Sequence, residues 1–301
     1  MTASPRAPAP GWLLFLLPTA IWSTTFYAIT WQLGSPTTPV WAVAIRFALA
    51  ALLLAIWLCL RGVSLRLEVR HHPLVAVSGV LAYGVSYVLT YLAEESIPSG
   101  LVAICFTLMV FLTPLFACIA LGRPTAKRTW IGGILGVAGV ACCFLPSLAK
   151  TSLAGSLLPG VVMMLVAAAA SSAAAVCSLA LNARGIPVMT YTTWAMAYGA
   201  GTTMLWAVAQ GHPLTLDARA AFWVALLYLS VLGSVVAFLC YLSLMRRHGP
   251  ASAMYISVLS PLGAVVVSVL LEGLPPSLPL IAGSALALCG AWITLRTPSS
   301  G

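Results

Sequence analysis

Residues 39–61 read PVWAVAIRFALAALLLAIWLCLR. A helix needs about 20 predominantly apolar residues to cross the hydrocarbon of a bilayer, and this run is long enough with one interior charge, Arg46. Runs of the same kind recur on either side. Separated by Pro, Gly or charge, they fall at 12–31, 39–61, 73–93, 98–121, 129–146, 155–182, 188–209, 220–245, 250–271 and 277–296. Gaps such as Gly34-Ser35-Pro36 and Pro275-Pro276 are too short to hold a soluble domain. The expected fold is all-α and integral to the membrane, with ten transmembrane helices, so the lipid bilayer is the first expected partner.

Composition agrees. Of 301 residues, 61% are hydrophobic and only 6% charged, against about 25% charged in soluble domains. So few charges cannot cover a water-facing surface. The apolar stretch from Gly11 to Trp31 exceeds a signal-peptide core and reads as a retained first span. A net charge of +9 invites nucleic acid as a partner, but the basic residues are scattered through short gaps, which excludes a binding stripe. The eight cysteines lie inside apolar runs with no C-x-x-C pair, so no metal, cofactor or disulfide is expected and they read as small buried residues. His71, His72, His212 and His248 sit in loops or at helix ends; no catalytic set forms, which excludes an enzyme.

Charge also orients the chain. With a cytoplasmic N-terminus, Arg6, Arg61, Arg66, Arg70, Arg123, Lys127, Arg128, Arg184, Arg246, Arg247 and Arg296 all fall inside. Only Lys150 and Arg219 fall outside. That asymmetry puts both termini in the cytoplasm.

Landmarks repeat at about half the chain length. Pro39-Val40 matches Pro187-Val188, Pro98 matches Pro250, and Pro114 matches Pro261. Gly132 and Gly139 match Gly283 and Gly290. This suggests a duplication, residues 1–150 and 151–301. Five spans per half invert the second half, an architecture suited to alternating access. Pro114 and Pro261, each inside a span, are candidate helix breaks at the repeat interface or ordinary kinks. The small-residue faces Gly132/Gly136/Gly139 and Gly283/Ala287/Gly290 would serve internal packing or a homodimer.

The run Ala20-Ile21-Trp22-Ser23, the Arg46-Phe47 pair in the second span, and Ser260-Pro261-Leu262 followed by Leu270-Leu271-Glu272-Gly273 resemble EamA-type carriers of the drug/metabolite transporter superfamily. The likeness covers the whole chain and is closest to the aromatic amino acid exporter branch. It departs at Arg123, where a Glu like Glu272 is usual, and at Trp194, opposite Arg46 in the repeat. The resemblance implies a central cavity lined by the first, third, fourth, sixth, eighth and ninth spans. It also implies a bacterial inner-membrane exporter of amino acids, drugs or other metabolites.

Middle residues of those spans supply the candidate site. Hydroxyls there, including Thr107, Ser171, Ser234, Ser257 and Ser260, would face a cavity or bond their own helix. Tyr83, Tyr87 and Tyr91 form one stripe. Tyr83 and Tyr87 would stack on an apolar or aromatic substrate, while Tyr91 reads as an interfacial anchor. Trp22 and Phe106 join them as aromatic candidates. Arg46 would be structural, gating, or a carboxylate ligand. No acid lies at mid-bilayer, so a facilitator is expected, with Glu94, Glu95 and Glu272 near the outer surface as the remaining titratable suspects and Glu95 and Glu272 taken as gating charges.

Overall fold

The computed structural model describes residues 10–122, 124–148, 151–248 and 250–295, and the side chains of all of these except 146–148, 151–156, 246 and 250–254. Arg6, Arg123, Lys150, Arg296 and the Arg246 side chain, part of the charge asymmetry, lie outside the described residues.

Among the described residues there are ten helical rods and no strand. They are α1 (Gly11–Thr30), α2 (Pro39–Leu60), α3 (Val69–Glu94), α4 (Ser99–Leu121) and α5 (Lys127–Leu148). Then come α6 (Thr151–Ala183), α7 (Val188–Ala209), α8 (220–248), α9 (Pro250–Leu271) and α10 (Leu278–Leu295). Eight of them, α1 to α6, α8 and α10, are long and apolar enough to cross a membrane. The threonine-rich α7 packs against α2 and α3, which buries most of its hydroxyls. Thr193 bonds the Met189 carbonyl at 2.9 Å and Thr203 the Gly199 carbonyl at 2.7 Å. Such back-bonds let hydroxyls lie inside an apolar bundle without an unmet polar group.

The rods pack in a regular scheme. The pairs α1·α9, α1·α8 and α2·α8 are matched by α6·α4, α6·α3 and α7·α3, while α2·α7, α4·α9 and α5·α10 pair with each other. Exchanging each rod with the one five places along leaves this scheme unchanged. The irregular geometry follows the same rule. A π-helical segment lies within α3 at Val80–Ser86 and another within α8 at Tyr228–Val236.

A long close-packed seam joins α5 to α10. A Cβ on Gly132 would stand 2.5 Å from the Gly290 carbonyl oxygen, and one on Gly290 at 2.5 Å from that of Gly132. Two turns on, Gly139 and Gly283 meet reciprocally at 2.6 Å. Without a strong hydrophobic force between helices in lipid, close backbone approach is what holds them. The small-residue faces therefore pack against each other, the internal-packing alternative of the two the sequence offered. Cys59 and Cys289, expected to be buried, are exposed on the outside of the bundle.

At the end carrying the α1–α2 and α7–α8 connections, two loops interlock. Thr37 donates to the Thr215 carbonyl at 2.6 Å and accepts from the Asp217 amide at 3.0 Å. Thr215 donates to the Pro36 carbonyl at 2.8 Å, and the Trp41 indole to that of His212 at 3.0 Å. The Arg219 guanidinium bonds the buried Asp217 carboxylate at 2.6 Å and holds its carboxyl well below the usual range.

Gly139→Leu forces a side chain against the α10 backbone, which cannot yield. Overpacking of this kind costs about 1–3 kcal/mol or more, so the variant is expected to lose most of its monodisperse peak in detergent gel filtration. Asp217→Asn tests the loop lock. A depressed carboxylate contributes its full stability above its unfolded pKa of about 3.9 and loses it as pH falls toward the folded value. The melting temperature lost by Asp217→Asn should accordingly be larger at neutral pH than in strong acid.

Candidate functional site

Arg46 sits in the second turn of α2 and is 2% exposed. Its guanidinium carbon lies 4.7 Å from the Tyr87 ring centroid and 5.0 Å from that of Phe47. One terminal nitrogen donates to the Tyr91 hydroxyl at 3.5 Å, and Tyr91 donates on to the Gln32 side-chain carbonyl at 2.9 Å. Guanidinium is planar and weakly hydrated, so aromatic faces can hold it where water is absent. Its Nε nonetheless has no partner. The tyrosine stripe on α3 is real, but it turns toward α2 and α7. Tyr83 lies 5.0 Å from Phe47 and against Gly199, and Tyr87 lies 4.6 Å from Phe47. Tyr91 is 1% exposed and not interfacial, because Gln32 offers its hydroxyl an acceptor inside the protein.

The acids near this end need a second correction. Glu95, expected as a gating charge, is exposed. Its neighbour Glu94 is 6% exposed, and neither carboxylate oxygen has a hydrogen-bond partner. One residue is a rotation of about 100° on a helix, enough to exchange water for protein. Glu272 spans from the end of α9 to the start of α4, where its Oε2 accepts from the Ser99 amide at 3.1 Å and the Ser268 hydroxyl at 2.6 Å. A carboxylate at a helix N-terminus is favoured by the unpaired amides there.

Toward the middle, Trp22 joins α1 to α8. Its indole donates to the Gly233 carbonyl at 3.0 Å, inside the π segment, and its ring meets Phe238 and Tyr241 at 5.5 Å each. Thr24 and Tyr228 share a hydrogen bond of 2.5 Å, and Phe26 meets Phe106 at 5.7 Å. Across the bundle, Ser86 and Ser171 bond at 2.6 Å. Ser234 bonds back to the Leu229 carbonyl five residues earlier, the spacing of its π turn. Thr107 is spent on its own helix, bonding Ile104 at 2.6 Å. Ser257 is exposed, whereas the buried Ser172 and Ser260 hydroxyls have no partner.

Pro114 and Pro261 do not break their helices, which run on through both. The break in α4 falls earlier, between Phe106 and Met109. The paired irregularities are instead the π segments. Gly84 and Gly233, at corresponding places within them, were the available signal. Segments of this kind recur at functional sites because they free backbone groups and re-aim side chains.

Two clefts open at the opposite end from the loop lock. One of about 380 Å³ lies at the ends of α1, α8 and α9, lined by Phe15, Leu244, His248 and Tyr255 among others. Its walls continue through Leu14 and Ile256 to Trp22 and Tyr241. The other, about 650 Å³, lies beside the 61–71 and 184–187 connections and is basic, with Arg66, Arg70, His71 and Arg184.

The family model described as the EamA-like transporter family matches the chain twice, over residues 9–145 and 158–296. The chain therefore belongs to that family and is a membrane transporter. It is similar to the uncharacterized inner membrane transporter YedA of Escherichia coli K12, 26% identical over 256 residues, 84% of this chain and 80% of that protein. Protein PecM of Dickeya dadantii is 26% identical over 255 residues, 83% of this chain and 80% of that one. An uncharacterized transporter of Archaeoglobus fulgidus is 22% identical over 285 residues, 95% and 98% of the two chains. A solved crystal structure shares the fold, with a TM-score of 0.67 at 18% identity over 94% of this chain and 95% of that one.

Lysine cannot lie flat between two rings as guanidinium does. Arg46→Lys is expected to cost about 1–2 kcal/mol, the size of a desolvated cation–π contact, read as a lower melting temperature in detergent. Arg46→Met, which leaves the Tyr91–Gln32 bond but removes the charge, should change the melt far less if Glu94 is replaced by Gln in the same molecule.

Proposed function

We propose that this transporter exports aromatic or other apolar amino acids, or closely related small metabolites, across the bacterial inner membrane by alternating access. Its two halves, residues 1–150 and 151–301, are read as inverted five-helix repeats, with all ten rods crossing the bilayer and both termini in the cytoplasm. The doubled family match and the exchange-invariant packing scheme support that reading. With the cytoplasmic end assigned by charge, the interlocked loops form the outer seal, and the 380 Å³ cleft is the inner mouth.

The observation that carries the substrate class is the aromatic wall above this mouth. Trp22, Phe26, Phe106, Tyr228 and Tyr241 converge from α1, α4 and α8, with few hydroxyls and no described carboxylate among them. Aromatic rings bind flat apolar groups by offset or edge contacts. The buried hydroxyls of Ser172 and Ser260 have no partner among the described residues and would supply polar contacts on opening. A fixed cation finds no counter-charge there, so drugs that are strongly cationic fit less well than a zwitterion. Tyr83 and Tyr87 act from behind, by holding α2 and Arg46.

Purified protein in liposomes preloaded with phenylalanine is expected to accumulate external radiolabelled phenylalanine by counterflow. Trp22→Ala should lower that counterflow about tenfold or more, while Trp22→Phe, which keeps a ring and loses the bond to Gly233, should lower it less. If phenylalanine, tyrosine and tryptophan all fail to drive counterflow, amino acid export is wrong and another amphipathic metabolite takes its place.

A further inference from the structure

The loop lock at one end of the bundle has a counterpart at the other. Exchanging each rod with the one five places along turns the α1–α2 and α7–α8 connections into α6–α7 and α2–α3 respectively. The counterpart is joined by the same kind of contact. The Trp194 indole donates to the Leu65 carbonyl at 2.9 Å, and Thr190 donates to the Ser64 carbonyl at 3.2 Å. What differs is charge. In the lock, the Asp217 carboxylate answers Arg219. In the counterpart, Arg66, Arg70 and Arg184 line one cleft of about 650 Å³ with a single acid, Glu68. Arg70 takes that acid at 2.8 Å. Among the described residues, the guanidinium groups of Arg66 and Arg184 have neither an ion pair nor a hydrogen bond.

A second observation points to a ligand. His71 lines the cleft, is 8% exposed, and its Nδ1 has no hydrogen-bond partner. A buried polar atom left unmet is costly, and a polar group seated in the cleft would meet it. Helix α7 starts at Val188, directly after the cleft residues Ile186 and Pro187, and no side chain caps its first amides. Unpaired amides at a helix start favour an anion. Guanidinium groups beside such amides suit the oxygens of a phosphate. The place of the cleft selects the kind of phosphate. It lies at the ends of the spanning rods α2, α3 and α6, the level of lipid headgroups, and Leu67, Ile186 and Pro187 stand in its wall among the charges. Leu60 and Val69, at the two ends of the same connection, are almost fully exposed. Apolar side chains beside basic ones in this way suit the boundary between headgroups and acyl chains.

We propose that this cleft binds the phosphate headgroup of an anionic phospholipid, with Arg66 and Arg184 as its principal contacts and His71 as a third. Arg66 belongs to the first half of the chain and Arg184 to the second. One phosphate between them ties the α2–α3 connection to the α6–α7 connection. The membrane thus supplies the negative charge that Asp217 supplies from the chain in the loop lock. With the orientation assigned by charge, the lipid belongs to the cytoplasmic leaflet. The binding itself depends neither on that orientation nor on the cargo.

The purified full chain in neutral detergent is titrated with phosphatidylglycerol, with phosphatidylcholine of the same acyl chains, or with inorganic phosphate, at constant ionic strength. Melting temperature and native mass spectrometry read the outcome. Phosphatidylglycerol is expected to raise the melting temperature saturably and to be retained on the protein, and the other two to do neither. Arg66→Gln/Arg184→Gln, which alters two exposed side chains, should hold phosphatidylglycerol about tenfold more weakly or worse and lose the melting shift. Lys127→Gln/Arg128→Gln, which removes two exposed cations at the start of α5, should keep both. No shift with phosphatidylglycerol, an equal shift with phosphatidylcholine, or a shift that survives in Arg66→Gln/Arg184→Gln overturns the site. A shift with inorganic phosphate as large as that with phosphatidylglycerol assigns the cleft to a soluble phosphate and overturns the lipid. If the double variant is not monodisperse, Arg66→Gln and Arg184→Gln are read singly, and unchanged binding in both overturns the site.

Discussion

Inside a bilayer a polar atom has no water to fall back on, and this constraint organises the whole bundle. Thr19, Ser23, Thr193 and Thr203 return their hydroxyls to their own helix. Ser86 and Ser171 meet across the bundle, and Trp22 reaches the backbone of α8. Arg46 lies between aromatic faces because no counter-ion is within bonding reach. Each of these contacts also fixes a helix in place. A hydroxyl that must find a partner restricts rotation about the helix axis far more than an apolar contact does, since lipid solvates an apolar face as well as protein can.

The same constraint explains where the bundle is rigid and where it can move. Backbone-to-backbone contact joins α5 to α10, with small side chains such as Thr294 and Cys143 beside it. That seam is suited to act as a fixed post. The π segments of α3 and α8 differ, because their wider turns depart from the regular helical ladder at Gly84 and Gly233. They touch α7 and α2 respectively, one from each half.

Much of this was legible in the sequence, for physical reasons that also set the limit. Apolar runs longer than a bilayer report helices directly, so positions such as 39–61 and 98–121 matched α2 and α4 within a residue or two. The small residues at Gly132, Gly139, Gly283 and Gly290 reported close contact but not with whom; only the fold shows that the two faces answer each other. Direction was less legible. In a helix that is apolar all round, no moment distinguishes the face turned to protein from the face turned to lipid. Tyr83 and Tyr87 lie against Phe47, and Glu94 rather than Glu95 is the buried acid, a difference of one residue. The π segments left only a glycine each as a trace, because a π turn is a packing compromise rather than a local preference.

Two regions at different depths of the bundle are tied together. The aromatic cluster around Trp22 lies toward the cleft at the ends of α1, α8 and α9, while Arg46 and Glu94 lie toward the interlocked loops. What links them is α3 and α8, each carrying a π segment between the two regions. Ser230, within the π segment of α8, donates to the Arg46 backbone carbonyl at 3.1 Å, and the Gly233 carbonyl of the same segment accepts from Trp22. One short stretch thus holds the backbone of the buried cation and the indole of the aromatic wall.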